Sequence, residues 1–175
     1  MSPRQAVPLQ MEYVVLGLAA RKPIYGYELL QEWREKHHLD QVWKIKPGAL
    51  YAVLDKLEQM GLLSSVLVPN PASPPRKEYC ITPAGAQAFR KWVSQPVSSA
   101  RQIRQEFMSK LFFADDLGEV GFANLIRAQQ QVSLVWLESL RGQAGQGDGL
   151  TERLLRYRIR QVSGILGWLG QLLSG

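Results

Sequence analysis

"WKIKPGALYAVLDKLEQMGLL", residues Trp43 to Leu63, reads as an entry turn, a short helix and a stop. Leu50, Val53, Leu54 and Leu57 recur at i, i+3, i+4 and i+7, the spacing of one apolar helix face. Pro47 pushes the residue before it out of helix geometry, so "LDQVWKIKP" is a connector. Gly61 supplies a C-cap. The far side of the helix carries Gly48, Ala52, Asp55 and Gln59, flanked by Ala49, Tyr51 and Lys56. One face is built for a core. The other, small at its start, allows close approach to a second molecule.

On the N-terminal side, two more helices precede this one. Leu9, Tyr13, Leu16 and Ala20 predict a helix over about 9–20, with Pro8 in its first turn and Arg21 and Lys22 at its end. "IYGYELLQEWREKHH" predicts a second over about 26–37, entered at Gly26. On the C-terminal side the period changes. "LLSSVLV" and "KEYCI" are short β-rich runs, separated by "PNPASPPR", whose four prolines exclude helix or inner strand. They predict a hairpin with a stiff tip. "TPAGAQAFRKWV" restarts a helix with Thr82 as N-cap and Pro83 in first position.

Three helices followed by a hairpin is the order of a winged helix-turn-helix. The physics of that order suits DNA. A helix fits the major groove, and a basic hairpin reaches the neighbouring backbone or minor groove. Lys44 and Lys46 precede the third helix, whose unpaired N-terminal N–H groups favour an anion. Arg76 and Lys77 sit at the base of the hairpin tip. The candidate DNA-facing set is Lys44, Lys46, Gly48, Ala49, Tyr51, Ala52 and Lys56, with Tyr27 on the preceding helix and Arg76 and Lys77 on the hairpin. Base reading by the helix itself is sparse, because Asp55 repels phosphate and Gln59 comes late.

"SQPVSSA" (94–100) breaks the helical run, so the chain is expected to divide into 1–96 and 97–175. The remainder is helical: about 101–113, then a long helix with Phe122, Leu125, Gln129, Val132, Trp136 and Leu140 on one stripe, then a Gly-rich turn and a last helix. In the last helix Leu155, Ile159, Val162, Leu166, Leu169 and Leu173 step by 4, 3, 4, 3, 4, a heptad seam. Two readings stand: a seam for a partner helix, which the thin core of three helices favours, or packing within the chain. Trp92, Trp136, Trp168, Phe107, Phe112 and Phe113 are core aromatics or, alternatively, the lining of a ligand cavity at a dimer interface.

Composition sets the class. The 175 residues are 46% hydrophobic and 21% charged, which excludes a disordered chain. Net charge is +6, of which residues 1–96 carry +4 (12 Lys+Arg against 8 Asp+Glu). A basic balance favours nucleic acid or another acidic partner. The start of the chain lacks the apolar core of a signal peptide, and no run is long enough to span a membrane, so the cytoplasm is expected. Cys80 stands alone in a strand-like run, as a packed thiol. Catalysis is not expected: His37 and His38 are adjacent and diverge by about 100° on a helix, and no nucleophile set or phosphate-binding Gly loop is present. No metal or cofactor is expected.

"PIYGYELL", "KPGALYAVLDKLEQMGLL" and "PRKEYCITPAG" resemble the three signature stretches of PadR-type transcriptional regulators. "EFMSKLFFADDL" and the helices after it resemble the C-terminal helical domain of the longer members, including the virulence-activator subgroup. The resemblance implies a winged-helix domain followed by a helical dimerisation domain. It implies a homodimer on double-stranded DNA at a near-palindromic operator, repression, and control by a small, often aromatic, effector. The chain departs from the pattern at Lys46, Ala49 and Tyr25, where the family often has Ser, a hydroxyl residue and His. The alternative is a winged helix that contacts protein, or an activator working with a partner regulator.

Overall fold

The computed structural model describes residues 10–36, 39–69, 74–144 and 148–174. The Pro8 helix start, the His37-His38 pair, the centre of the Pro-rich tip and the middle of the Gly-rich turn lie outside the described residues. The chain forms two compact units, Met1–Val93 and Ser94–Gly175. It is mostly helical with a small antiparallel sheet.

The first unit runs α1 (Gln10–Arg21), β1 (Ile24–Tyr25), α2 (Gly26–Gln31), α3 (Pro47–Gln59), β2 (Leu63–Val68), β3 (Arg76–Ile81) and α4 (Pro83–Val93). The second helix of the sequence continues past α2 as a π-helical stretch, Glu32–Lys36. The sheet order is β1-β3-β2, with both pairings antiparallel. The hairpin is therefore joined by a third strand that sequence patterning missed. Two residues are too few to display an alternation.

The core explains the spacing. Val14, Val15, Leu16 and Leu18 of α1, Leu29 of α2, Trp33, and Leu50, Leu54 and Leu57 of α3 are all buried. Leu63 and Tyr79 close it from the sheet. Trp33 donates its indole N–H to the Trp43 carbonyl (2.9 Å), pinning the connector that leads into α3. Tyr13 stacks on Trp92 with centroids 5.0 Å apart, fastening α1 to α4.

Both ends of α3 are defined by backbone chemistry. Lys46 is the N-cap in extended geometry, with Pro47 next and no side-chain cap. At the other end Gly61 has φ +69°. The Leu62 N–H bonds the Leu57 carbonyl and the Gly61 N–H bonds the Glu58 carbonyl, a Schellman stop. Thr82 caps α4 as expected: its hydroxyl accepts from the Gly85 N–H (3.1 Å) and donates to the Gly61 carbonyl (2.7 Å). The exit of α3 and the entry of α4 are thus one hydrogen-bonded knot.

The second unit contains α5 (Ala100–Gln102), α6 (Met108–Phe112), α7 (Gly118–Gln143) and α8 (Gly149–Gln171). The helix expected over 101–113 is interrupted by a π-helical segment, Ile103–Phe107. Its inner face is partly polar. Lys110 is only 2% exposed; it pairs with Glu106 (3.1 Å) and donates to the Gln95 carbonyl (2.9 Å). Burial outweighs the Glu106 carboxylate and holds the Lys110 pKa below its usual value. Gln129 is fully buried and holds the Val97 peptide, accepting from its N–H at 2.7 Å. Two buried polar side chains therefore anchor the segment that opens this unit.

The heptad seam of α8 is packed within the unit. Leu155 and Val162 join Leu137 and Leu140 of α7, with Ile159 and Leu166 beside them, and Leu169 joins Leu125 and Ile126. Only Leu173 is exposed. A seam at this spacing serves a neighbouring helix of the same chain as well as one from a partner, and α7 occupies it.

Candidate nucleic-acid interface

The exposed side of α3 faces away from the core just described. Lys44, Lys46, Gly48, Ala49, Tyr51 and Ala52 are all exposed. No carboxylate lies in the first turn of α3. The uncapped N–H groups at that end meet no side-chain acceptor from the N-cap, so the helix start is electropositive twice over, by its dipole and by the two lysines before it.

Beside this surface lies a cleft of about 630 Å³ lined by Tyr25, Gly26, Tyr27, Tyr51, Arg76, Lys77 and Tyr79. It joins the start of α2, the first half of α3 and the base of the wing. The close approach of two helices makes it. A Cβ on Gly26 would stand 2.6 Å from Cε1 of Tyr51, so the Tyr51 ring lies directly over the glycine. Tyr27, 65% exposed, and Tyr51, 46% exposed, form aromatic walls. The Tyr25 phenol donates to the Glu78 carboxylate opposite it in the β1–β3 pair, which holds its pKa above the usual value. Tyr79 is buried at the back, and burial raises its pKa too.

Of the residues singled out from sequence, Tyr27, Tyr51, Arg76 and Lys77 come together in this cleft. Lys44, Lys46, Gly48, Ala49 and Ala52 lie exposed along the entry and outer face of α3. Lys56 is turned elsewhere. Its ammonium bonds Glu12 of α1 at 2.6 Å, and the Glu12 side chain is only 3% exposed. The flank of the α3 wheel that holds Lys56 faces α1, and the long lysine stem reaches across to the buried carboxylate. Lys77 is also engaged: it bonds Glu58 of α3 at 2.8 Å and lies over the Tyr79 ring.

Tyr25, Glu58, Ser65 and Tyr79 were not among the DNA-facing residues expected from sequence. For Ser65 and Tyr79 a signal existed. Lys77 and Tyr79 are two apart on one strand and share a face, and Ser65 pairs opposite Tyr79. Glu58 had none, because its partners come from two strands across a turn.

The aromatics of the second unit prove to be core for the most part. Phe107 and Phe113 are fully buried, and Trp168 packs edge-on to Phe107 at 6.1 Å. Trp136 lines a cleft of the second unit, about 340 Å³, with Ser99, Ser139, Gln143, Arg158 and Gln161. Among the described residues, no group of three His, Cys, Asp or Glu side chains could hold a metal ion, and no helix is long and apolar enough to cross a membrane.

Residues 15–91, nearly the whole first unit, match the model of the PadR-like transcriptional regulator family. The negative transcriptional regulator PadR of Bacillus subtilis is 26% identical over 132 residues, 75% of this chain and 71% of that protein. The fold also matches the crystal structure of Bacillus subtilis PadR in complex with operator DNA. There the TM-score is 0.50 at 22% identity, covering 96% of this chain and 98% of the other. Residues 15–91 are thus similar to the PadR-like transcriptional regulator family, and the chain shares its fold with Bacillus subtilis PadR.

Proposed function

We propose that the protein is a cytoplasmic, homodimeric repressor that binds a near-palindromic operator through its first unit. One observation carries this reading. The electropositive start of α3, the Tyr27 and Tyr51 rings and Arg76 at the wing base converge on one exposed surface around one cleft. A phosphate backbone running past the α3 entry meets Lys44, Lys46 and the helix N-terminus. The tyrosine hydroxyls and Arg76 then take the neighbouring phosphates, and Gly48, Ala49 and Ala52 allow α3 to sit deep in the major groove. The complex named for the Bacillus subtilis relative supports DNA as the ligand.

Dimerisation falls to the second unit. Because α7 covers the seam, we assign the partner surface to the other stripe of α8. Leu150, Leu154, Tyr157, Gln161, Gly164 and Trp168 step by 4, 3, 4, 3, 4. Leu150, Leu154 and Tyr157 are exposed, and nothing lies within 4 Å of a Cβ on Gly164 in the stripe or on Gly167 at its edge. An apolar, glycine-notched stripe of this length invites a second helix. The Trp136 cleft, with Arg158 on its rim, is where a small planar anionic effector would dock.

Selection of bound fragments from the source genome tests the role. The expected result is an enriched palindrome with half-sites about one helical turn apart. Lys46→Ala and Arg76→Ala should each flatten the salt dependence of binding by about 0.9 in log–log slope. If no fragment is enriched and wild-type protein retains no duplex at low salt, the wing and α3 serve protein contact instead.

A further inference from the structure

The carboxylate of Glu58 is bonded to both strands of the wing. Ser65 on β2 donates its hydroxyl to Oε1 at 2.6 Å, and Lys77 on β3 donates to Oε2 at 2.8 Å. The register explains the convergence: Ser65, Leu67, Lys77 and Tyr79 share one face of the hairpin, toward α3. We infer that Glu58 masks Lys77 from nucleic-acid phosphate, so that this lysine fixes the wing to α3 and does not contact the duplex. The inference rests on the DNA-binding reading and refines it.

The local charge balance supports it. Asp55 lies one turn before Glu58 on α3 and acts on both Lys77 and Tyr79. Lys77 is thus bonded to one carboxylate and lies in the field of a second, so two acids face one ammonium at this end of α3. The other end of α3 has two lysines, an open helix start and no acid in its first turn. A phosphate is drawn to the α3 entry and the Arg76 side, and repelled from the α3–wing junction. The Lys77 pKa is raised and the Glu58 pKa lowered by their mutual bond, as expected of a formed pair. The pair also holds an angle. One carboxylate tying both strands to α3 sets where the wing stands relative to the groove-reading helix, while withholding one charge from sequence-independent binding.

The test compares wild type, Lys77→Ala, Glu58→Gln and the double variant on an operator duplex and a scrambled duplex. Affinity is measured between 50 and 200 mM salt. Wild type and Lys77→Ala should show the same slope on both duplexes. Glu58→Gln should be steeper by about 0.9, so that its affinity falls about 3- to 4-fold more across that range. The double variant should return to the wild-type slope. A Lys77→Ala slope shallower by about 0.9 overturns the inference, as does an unchanged slope in a folded Glu58→Gln. The Lys77→Ala arm decides even if Glu58→Gln does not fold. Wild type that binds neither duplex refutes the DNA reading itself, a result distinct from either of these.

Discussion

The sharpest prediction concerns two glycines on α8. Gly164 and Gly167 lie in a helix interior, where each weakens the helix by about 1 kcal/mol relative to alanine. In the chain by itself a Cβ at either position meets nothing within 4 Å. Gly164→Ala with Gly167→Ala should therefore stabilise the isolated second unit by about 2 kcal/mol. The assigned dimer reverses the sign at the interface. A methyl forced into a helix–helix contact costs about 1–3 kcal/mol, and two-fold symmetry presents every substitution twice. Four such contacts at the low end cost about 4 kcal/mol, raising the dimer dissociation constant about 1000-fold. Sedimentation equilibrium over a concentration series measures association, and urea unfolding at low concentration measures the single chain. The expected pattern is a weaker dimer made of a more stable chain. A variant that dimerises as tightly as wild type and unfolds at higher urea would show that no partner helix lies on this stripe.

Three further outcomes are expected. Gly85→Ala would place a Cβ 2.1 Å from the Leu62 carbonyl oxygen, which also accepts from the Thr82 N–H. Overpacking and the loss of about one hydrogen bond exceed the helix gain of alanine, for a net loss of about 2–3 kcal/mol by chemical denaturation. Lys56→Met removes the ammonium that meets buried Glu12. Water still reaches the lysine end, so about 2–3 kcal/mol is expected rather than the upper value for a dry pair, a fall of about 10 °C in the unfolding of the first unit. An unchanged transition there would mean that Glu12 does not depend on Lys56. The third concerns acid. Glu58 has its folded pKa lowered below 4.5 by Lys77 and Ser65, so the folded state binds this proton less readily than the unfolded chain. Its contribution is present above pH 4.5 and is lost as pH falls through the lower folded value. The difference in Tm between wild type and Glu58→Gln should accordingly shrink on going from pH 7 to below that range. A difference that stays constant would remove the pair as its cause.

Much of the site was legible because its signals are local. Pro47, the i, i+3, i+4, i+7 leucines and Gly61 define α3 by backbone and burial physics within one stretch. Thr82 and Pro83 mark the start of α4 in the same way. The exposure of Ala49, Tyr51 and Ala52 follows from the wheel alone once Leu50, Leu54 and Leu57 are buried. What was not legible was who holds each charge. Lys56 and Lys77 are alike in sequence, basic residues near a DNA-facing element. One reaches Glu12, 44 residues away, and the other reaches Glu58, 19 residues away.

The same limit applied to α8. Its sequence carries two heptad stripes, and periodicity alone does not say which of them faces α7. The chain by itself determined the elements, their order and the apolar faces that must be covered, because propensity, capping and periodicity act over a few residues. Tertiary packing decided which face met which neighbour and which lysines remained available for an anion. Those choices depend on distances between segments far apart in the chain, and a side chain's charge is free for a ligand only when no nearer carboxylate has claimed it.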